Sequence, residues 1–445
     1  MARKRLLPRR LPNRAQRNKL RAVTYGTRKN AKGKSEGFVL LLIVLSLLGV
    51  LGVILVTSFV SGSNRISRDA ATATALAKAK DALLAYAITG DAAGRPAEFP
   101  CPSTVALTAA TYGTSDAGCA TRRIGRLPWR TLGIPELFDG DGEPLWYAVS
   151  NKFRPSVPVI NLDTLGDLKI YAAGGTTLSA DQVVAVIFSA GAPVANQIRS
   201  STASLCATTS TTIASNTCAT NYLDSGSGWN NATNAGPYIA DRHGATFNDQ
   251  IAYITTADFM PKIEDRITSI LTRTLNNYYV TNGYYPYAAN YADITWPTEL
   301  NCANGIYAGR LPLYIAASPH TGAPCSGLAD WQPVGDPNGL PAWFTTNQWN
   351  AAIHYVVGKA YAIGAAKTCS LPGDCLVVDG VGSMQAVFIL PGIATSTQTR
   401  PSSIPINYLE AVANQEDWPT PVNYSYVTTA SALPSRDRVI AVKNP

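Results

Sequence analysis

Histidine is scarce in this chain: His243, His320 and His354 are the only three among 445 residues. No His-Glu-x-x-His pair, Gly-x-Ser-x-Gly elbow, Walker-type phosphate loop or Gly-x-Gly-x-x-Gly turn occurs, which removes the common zinc-protease, serine-hydrolase and nucleotide-binding chemistries. His354 sits in an apolar, strand-like run, where a core histidine is expected rather than a catalytic one. Cysteine is absent before Cys101, and no Cys-x-x-Cys pair exists, so a structural zinc site lacks its usual ligand spacing. Charged residues make up only 15% of the chain against 46% apolar ones, leaving ample apolar surface for packed cores. These absences point away from an enzyme.

What charge there is lies unevenly. Residues 1–36 hold 13 of the 37 basic residues, and Glu36 is their only acid, so this stretch carries +12 and the rest of the chain −4. The net charge of +8 is therefore a local device and not a nucleic-acid-binding surface; no nucleic acid is expected as a partner. From Phe38 to Val60 the sequence has neither charge nor proline. At about 1.5 Å rise per residue such a run covers the roughly 30 Å hydrocarbon core of a bilayer as a helix. Lys and Arg crowd its N-terminal flank, which predicts a cytoplasmic N-terminus and an exported C-terminal bulk. A cleavable secretory signal competes with this reading, but the run is long for one and no small-x-small cleavage site follows directly.

Eight cysteines, all beyond the apolar run, agree with export to an oxidising compartment. Their near-neighbour spacing suggests bridges Cys101–Cys119, Cys206–Cys218, Cys302–Cys325 and Cys369–Cys375, a preference only, since eight cysteines allow 105 connectivities.

From Ser61 to Thr89 the chain is free of proline and rich in Ala, Leu and Lys, so the membrane helix is expected to continue outward as one long amphipathic helix. Beyond Thr89 short β-rich runs follow, such as Val183–Ser189, Ile251–Thr255, Ala386–Leu390 and Arg438–Val442, among Gly, Pro, Thr, Ser and Asn. Helix first and strands after is an α+β pattern. The pattern also repeats. A helix ending in Leu84–Tyr86 is echoed by Leu275–Val280, each followed by Gly and then Pro. Gly125-Arg126-Leu127-Pro128-Trp129 is matched by Gly309-Arg310-Leu311-Pro312-Leu313, Leu145–Val149 by Ile353–Val357, Ala185–Phe188 by Ala386–Ile389, and Asn221-Tyr222-Leu223-Asp224 by Asn407-Tyr408-Leu409-Glu410. Two copies of one module are expected, at 61–260 and 261–445, each begun by a helix (Ala70–Thr89 and Pro261–Val280). Arg126 and Arg310 are expected to anchor a turn beside a proline-fixed strand.

The stretch Lys32-Gly33-Lys34-Ser35-Glu36-Gly37, followed by Phe38-Val39-Leu40-Leu41-Leu42, resembles the processing segment of type IV pilins and type II secretion pseudopilins. That resemblance implies cleavage by a prepilin peptidase between Gly37 and Phe38, methylation of the new N-terminal Phe38, and assembly with other pilin or pseudopilin subunits. It also implies residence in a bacterial inner membrane, in contact with its lipid, with the head in the periplasm or at a filament tip. Most pilins carry Glu at the fifth mature position; here it is Leu42. The large tip pseudopilin of type II secretion likewise lacks that Glu and has an oversized head, so the resemblance favours a minor, tip-located or initiating subunit. The expected fold is a long N-terminal transmembrane-plus-amphipathic helix carrying a duplicated, disulfide-bonded pilin-like α+β head. An uncleaved single-span envelope protein with a periplasmic binding or scaffolding domain is the alternative.

No cofactor is expected, with one candidate metal. Asp139, Asp141 and Glu143 alternate with Gly140 and Gly142, an oxygen-rich loop of the kind calcium prefers, and pseudopilin heads can bind calcium. A plain turn before the Leu145–Val149 strand explains the same residues. The 21 tyrosines, Tyr278, Tyr279, Tyr284, Tyr285 and Tyr287 among them, suit either a partner-binding surface or core packing. Ser46, Gly49 and Gly52 suit close helix packing in a membrane or simple tolerance there.

Overall fold

Residues 64–89 form a helix, α1, made almost entirely of Ala, Thr, Lys and Leu in its middle turns. Thr72, Ala75, Leu76, Ala79, Leu83, Leu84 and Ala87 are buried, an apolar stripe at helical spacing that faces the core. Gly90 ends the helix with φ 81°, its N–H donating to the Tyr86 carbonyl at 2.9 Å, a left-handed cap that glycine adopts without steric cost. The computed structural model describes residues 64–443 except 91–94, 195–196, 198, 200–217, 242–243, 245, 292–304, 313–339, 363, 416–423 and 429–436.

The expectation of one long N-terminal transmembrane-plus-amphipathic helix is corrected here. No described helix is long and apolar enough to cross a membrane. Helical structure among the described residues begins at residue 64, and residues 65–445 make one compact unit separate from 1–64. The described helix, α1, has its apolar stripe packed into the head core and reads as part of the head. Phe38–Val60, Gly37, Leu42 and the basic leader lie outside the described residues.

The first half of the head follows α1 with β1 (Ile124–Arg126), β2 (Trp146–Val149), β3 (Leu168–Ala172), β4 (Leu178–Ser189), β5 (Ser225–Gly226), β6 (Trp229–Asn230), β7 (Tyr238–Ala240) and β8 (Gln250–Thr255). The second half begins with α2 (Thr256–Asn282) and continues with β9 (Ala308–Arg310), α3 (Ala342–Thr346), α4 (Trp349–Ala352), β10 (His354–Val357), β11 (Leu376–Val378), β12 (Val381–Met384) and β13 (Ala386–Leu390). It closes with α5 (Val412–Gln415), β14 (Ser425–Tyr426) and β15 (Arg438–Val442). The second helix starts at Thr256, five positions before Pro261. Thr255 caps it with a side chain that accepts from the Asp258 N–H, and the Asp258 carboxylate accepts from the Thr255 N–H, a reciprocal box that fixes the start. Pro261 lies inside the helix, at the loss of one hydrogen bond.

The duplication expected from the five sequence landmarks extends through the strands of the main sheets. In the first module β1, β2, β4 and β8 pair antiparallel in that order; in the second β9, β10, β13 and β15 do the same. The registers coincide. Arg126 lies opposite Trp146 and Arg310 opposite His354. Ala185 is flanked by Val149 and Ile254, and Ala386 by Val357 and Val442. A smaller three-strand layer repeats too: the start of β4 pairs with β3, which pairs parallel with β7, and β12 pairs with β11, which pairs parallel with β14. One apolar core takes in α1, α2 and residues from both main sheets. A second cluster lies on the other face of β2 and β4, with Trp146, Ala148, Val186 and Phe188 packed against Leu168, Ile170, Tyr222 and Tyr238. The two modules thus share one compact unit, Arg65–Pro445.

Two of the expected bridges are present among the described residues, Cys101–Cys119 and Cys369–Cys375, and Cys218 is also disulfide-bonded. Cys206, Cys302 and Cys325 lie outside the described residues.

Candidate functional site

The loop with the candidate calcium ligands is fully engaged with protein groups. Asp139 is buried. Its Oδ1 accepts from the N–H groups of Asp141 and Glu143 at 3.0 and 2.9 Å, and its Oδ2 from Ser189 Oγ at 2.8 Å and the Gly191 N–H at 2.9 Å. Asp141 pairs with Arg68 of α1 at 2.8 Å and Glu143 with Arg199 at 3.2 Å. The Gly140 N–H donates to Thr72 Oγ1 at 2.9 Å. The loop therefore caps its own turn and clamps the start of α1 to the sheet. Among the described residues no group of three or more His, Cys, Asp or Glu side chains is placed to hold a metal ion.

The most elaborate polar site occurs twice, once in each module. The Arg126 and Arg310 side chains are both buried. Arg126 lies over Trp146 at 4.1 Å and Tyr222 at 4.4 Å, and donates to the Pro144 carbonyl at 2.6 Å. Arg310 lies over Tyr291 at 4.6 Å and Tyr408 at 5.3 Å, and donates to the Tyr291 and Ala351 carbonyls at 3.1 and 2.7 Å. Aromatic faces suit a guanidinium stripped of water because their quadrupole presents negative charge to it. A second arginine then stacks on the same tyrosine: Arg199 on Tyr222 at 5.2 Å and Arg400 on Tyr408 at 4.8 Å. Each second arginine also donates to that tyrosine's carbonyl and to a glutamine two residues before it, Gln197 or Gln398. Each pairs with one carboxylate, Glu143 or Asp163.

A pair of acids completes the unit. Gln197 donates to Asp224 at 2.9 Å and Gln398 to Glu410 at 3.1 Å. The Asp224 N–H donates to Asp249 at 2.8 Å, and the Glu410 N–H to Asp437 at 2.9 Å. Asn231 and Asn414 donate to Asp249 and Asp437 at 2.9 and 2.7 Å. Each asparagine also brackets a backbone residue, Ile239 or Val427, by accepting from its N–H and donating to its carbonyl. Asp249 directly precedes β8 and Asp437 directly precedes β15. The site therefore ties the last strand of each module to the Asn-Tyr-Leu turn and to the parallel strand beside it.

Burial decides the charge state of these acids. Desolvation, and then the neighbouring Asp224, push the Asp249 carboxyl well above the usual carboxylate range. Desolvation raises Asp224 as well, and it raises Asp437, with the Glu410 hydrogen bond adding to it, to about 7. Raised carboxyls beside two buried arginines favour a shared proton within each pair, which lowers the cost of holding two acids in a low dielectric. His354 is buried, and desolvation followed by Arg310 lowers it to about 3, so it stays neutral in the core as its apolar run implies.

Arg126 and Arg310 are buried strand residues as well as turn anchors. Gln197, Arg199, Asn231 and Asp249, with Gln398, Arg400, Asn414 and Asp437, were not apparent as a set in the sequence. Their signal was the shared Gln-x-Arg before Asn-Tyr-Leu, obscured because Arg199 and Tyr222 are 23 residues apart while Arg400 and Tyr408 are 8 apart. The hydrogen bonds of the duplicated site fasten loop, turn and strand together. A half-open cleft of about 170 Å³ between Asp163, Gln348 and Arg400 adjoins the second copy. No known protein family, curated protein or solved structure matches the chain.

Proposed function

We propose that this protein is a minor pilin or pseudopilin, a non-enzymatic structural or initiating subunit of a type IV pilus or type II secretion filament. The observation that carries the reading is the basic leader ending in Gly37, followed by Phe38 and an apolar run to Val60. The run would hold the subunit in a bacterial inner membrane with its head in the periplasm, and the disulfides of the head, Cys101–Cys119 and Cys369–Cys375 among them, suit that compartment. A double module built around fastenings suits a structural subunit. Leu42 in place of the usual Glu, and the doubled head, support a tip or initiating position over the repeating one. The test is a Gly37→Leu variant expressed beside a prepilin peptidase. It should run as a single species retaining the leader up to residue 37, while the natural chain runs shorter. Equal mobility of the two, with the leader present on both, would leave an uncleaved envelope protein instead.

A further inference from the structure

The second arginine of each stack meets its carboxylate differently in the two modules. In the first, Arg199 pairs with Glu143 at 3.2 Å, an acid of the same module three residues before β2. Three residues before β10 stands Ala351, which has no carboxylate to offer. Arg400 pairs instead with Asp163 at 2.8 Å, a residue of the first module between β2 and β3. The Arg400 side chain is 4% exposed, and a guanidinium stripped of water needs a facing charge far more than a surface one does. Asp163 Oδ1 also accepts from the Ala394 N–H at 3.3 Å, so the same acid holds the backbone beside the stack.

The loop that carries Asp163 is shaped by this contact. Residues 150–167 join β2 to β3, and residues 358–375, equal in number, join β10 to β11, so the two loops correspond position by position. Ile160 and Leu162 are buried, and the Ile160 N–H donates to Asn347 Oδ1 of the second module at 2.8 Å. Their counterparts Thr368 and Ser370 are exposed, and Leu371, in the place of Asp163, is 71% exposed. The second loop is closed on itself instead, by Cys369–Cys375 and by Asp374, which accepts from the N–H groups of Ser370 and Leu371 at 3.0 and 2.6 Å. One loop is held by the neighbouring module, and the other carries its own staple.

We propose that Asp163 is a one-way latch between the modules. It lends the second module the charge that the Arg400 stack needs, so the second fastening stays shut only while the first module is folded. The first fastening closes with its own Glu143. What the first module takes in return is the start of α2, where Phe259 packs edge-on to Phe99 and Phe153 at 5.3 and 5.4 Å; the residues of its fastening, from Arg126 to Asp249, are all its own. The latch holds whether or not the chain is processed at Gly37.

Hydrogen exchange of the full chain, read by mass spectrometry of its peptides, tests this at the amides that the fastenings hold. Those of Glu410, Ala411 and Val427 report on the second module, and those of Asp224 and Ile239 on the first. Asp163→Asn removes the charge and little volume. It should speed exchange at the second set about tenfold or more, as loss of a buried charge partner does, and at the first by less than about twofold. Glu143→Gln should do the reverse. In a chain already carrying Arg400→Gln, Asp163→Asn should add less than about twofold, since the pair is already broken. A rise of less than about twofold at the second set in Asp163→Asn, an equal rise in both sets, or a further rise of about tenfold on top of Arg400→Gln would overturn the proposal.

Discussion

Asp437→Asn should flatten the pH dependence of head stability between about pH 4.5 and 6.5. Asp437 is fully buried ahead of β15, and its carboxyl is raised to about 7 by desolvation and by Glu410, whereas an unfolded Asp titrates near 3.9. The folded chain therefore holds a proton that the unfolded chain releases over that interval. A raised folded value stabilises fully below the unfolded one, and that contribution is lost as pH climbs through 7. The slope is about −1.4 kcal/mol per pH unit for the one proton, and roughly 4 kcal/mol between the unfolded and folded values. Asp224 and Asp249 are raised too, so the natural chain should fall more steeply than one proton requires. Asparagine is neutral throughout and nearly isosteric. It should cost about 1–2 kcal/mol at pH 5, where it exchanges one acceptor for a donor, and should remove about one proton from the slope. Urea denaturation followed by tryptophan fluorescence at several pH values measures this. Stability rising with pH over the interval, or a variant retaining the natural slope, would refute the reasoning.

Asn414→Ala should destabilise by about 2–3 kcal/mol, because it strips partners from the buried Asp437 carboxyl and the Val427 backbone together; Asn231→Ala should cost a similar amount, read in the same denaturation. Gly140→Ala should loosen the start of α1 by about 1–3 kcal/mol, since the added carbon would collide with the Arg68 backbone; hydrogen exchange at residues 68–72 should rise while that of β13 stays unchanged. Replacing Cys101 and Cys119 by serine should cost about 3 kcal/mol, and the Cys369–Cys375 pair about 2, because the loops they close span 18 and 6 residues.

The modules were legible because their landmarks are short, contiguous and apolar. The Leu145–Val149 and Ile353–Val357 strands, and Ala185–Phe188 with Ala386–Ile389, fall opposite one another in the registers that their alignment implies. The site around Tyr222 and Tyr408 was legible only through its Asn-Tyr-Leu turn and through Arg126 and Arg310 of the matched Gly-Arg-Leu-Pro segments. Arg199, Arg400 and most of the asparagines and carboxyls that complete it come from loops of unequal length, and polar residues in loops carry no periodicity to mark them. The extent of the first helix was misjudged for a related reason. The stretch from Ser61 to Thr89 holds no proline to mark a break, and among the described residues the helix runs from residue 64 to 89 with its apolar stripe packed into the head. Pro261 drew the expected start of α2 five residues late, where the Thr255–Asp258 box outweighs the proline signal.

The most direct test of the proposed function is the intact mass and N-terminal sequence of the protein from membranes, with and without a prepilin peptidase. The expected result is a chain starting at N-methylated Phe38 only where the peptidase is present. A chain starting at Met1 or Ala2 in both would contradict a pilin-class subunit.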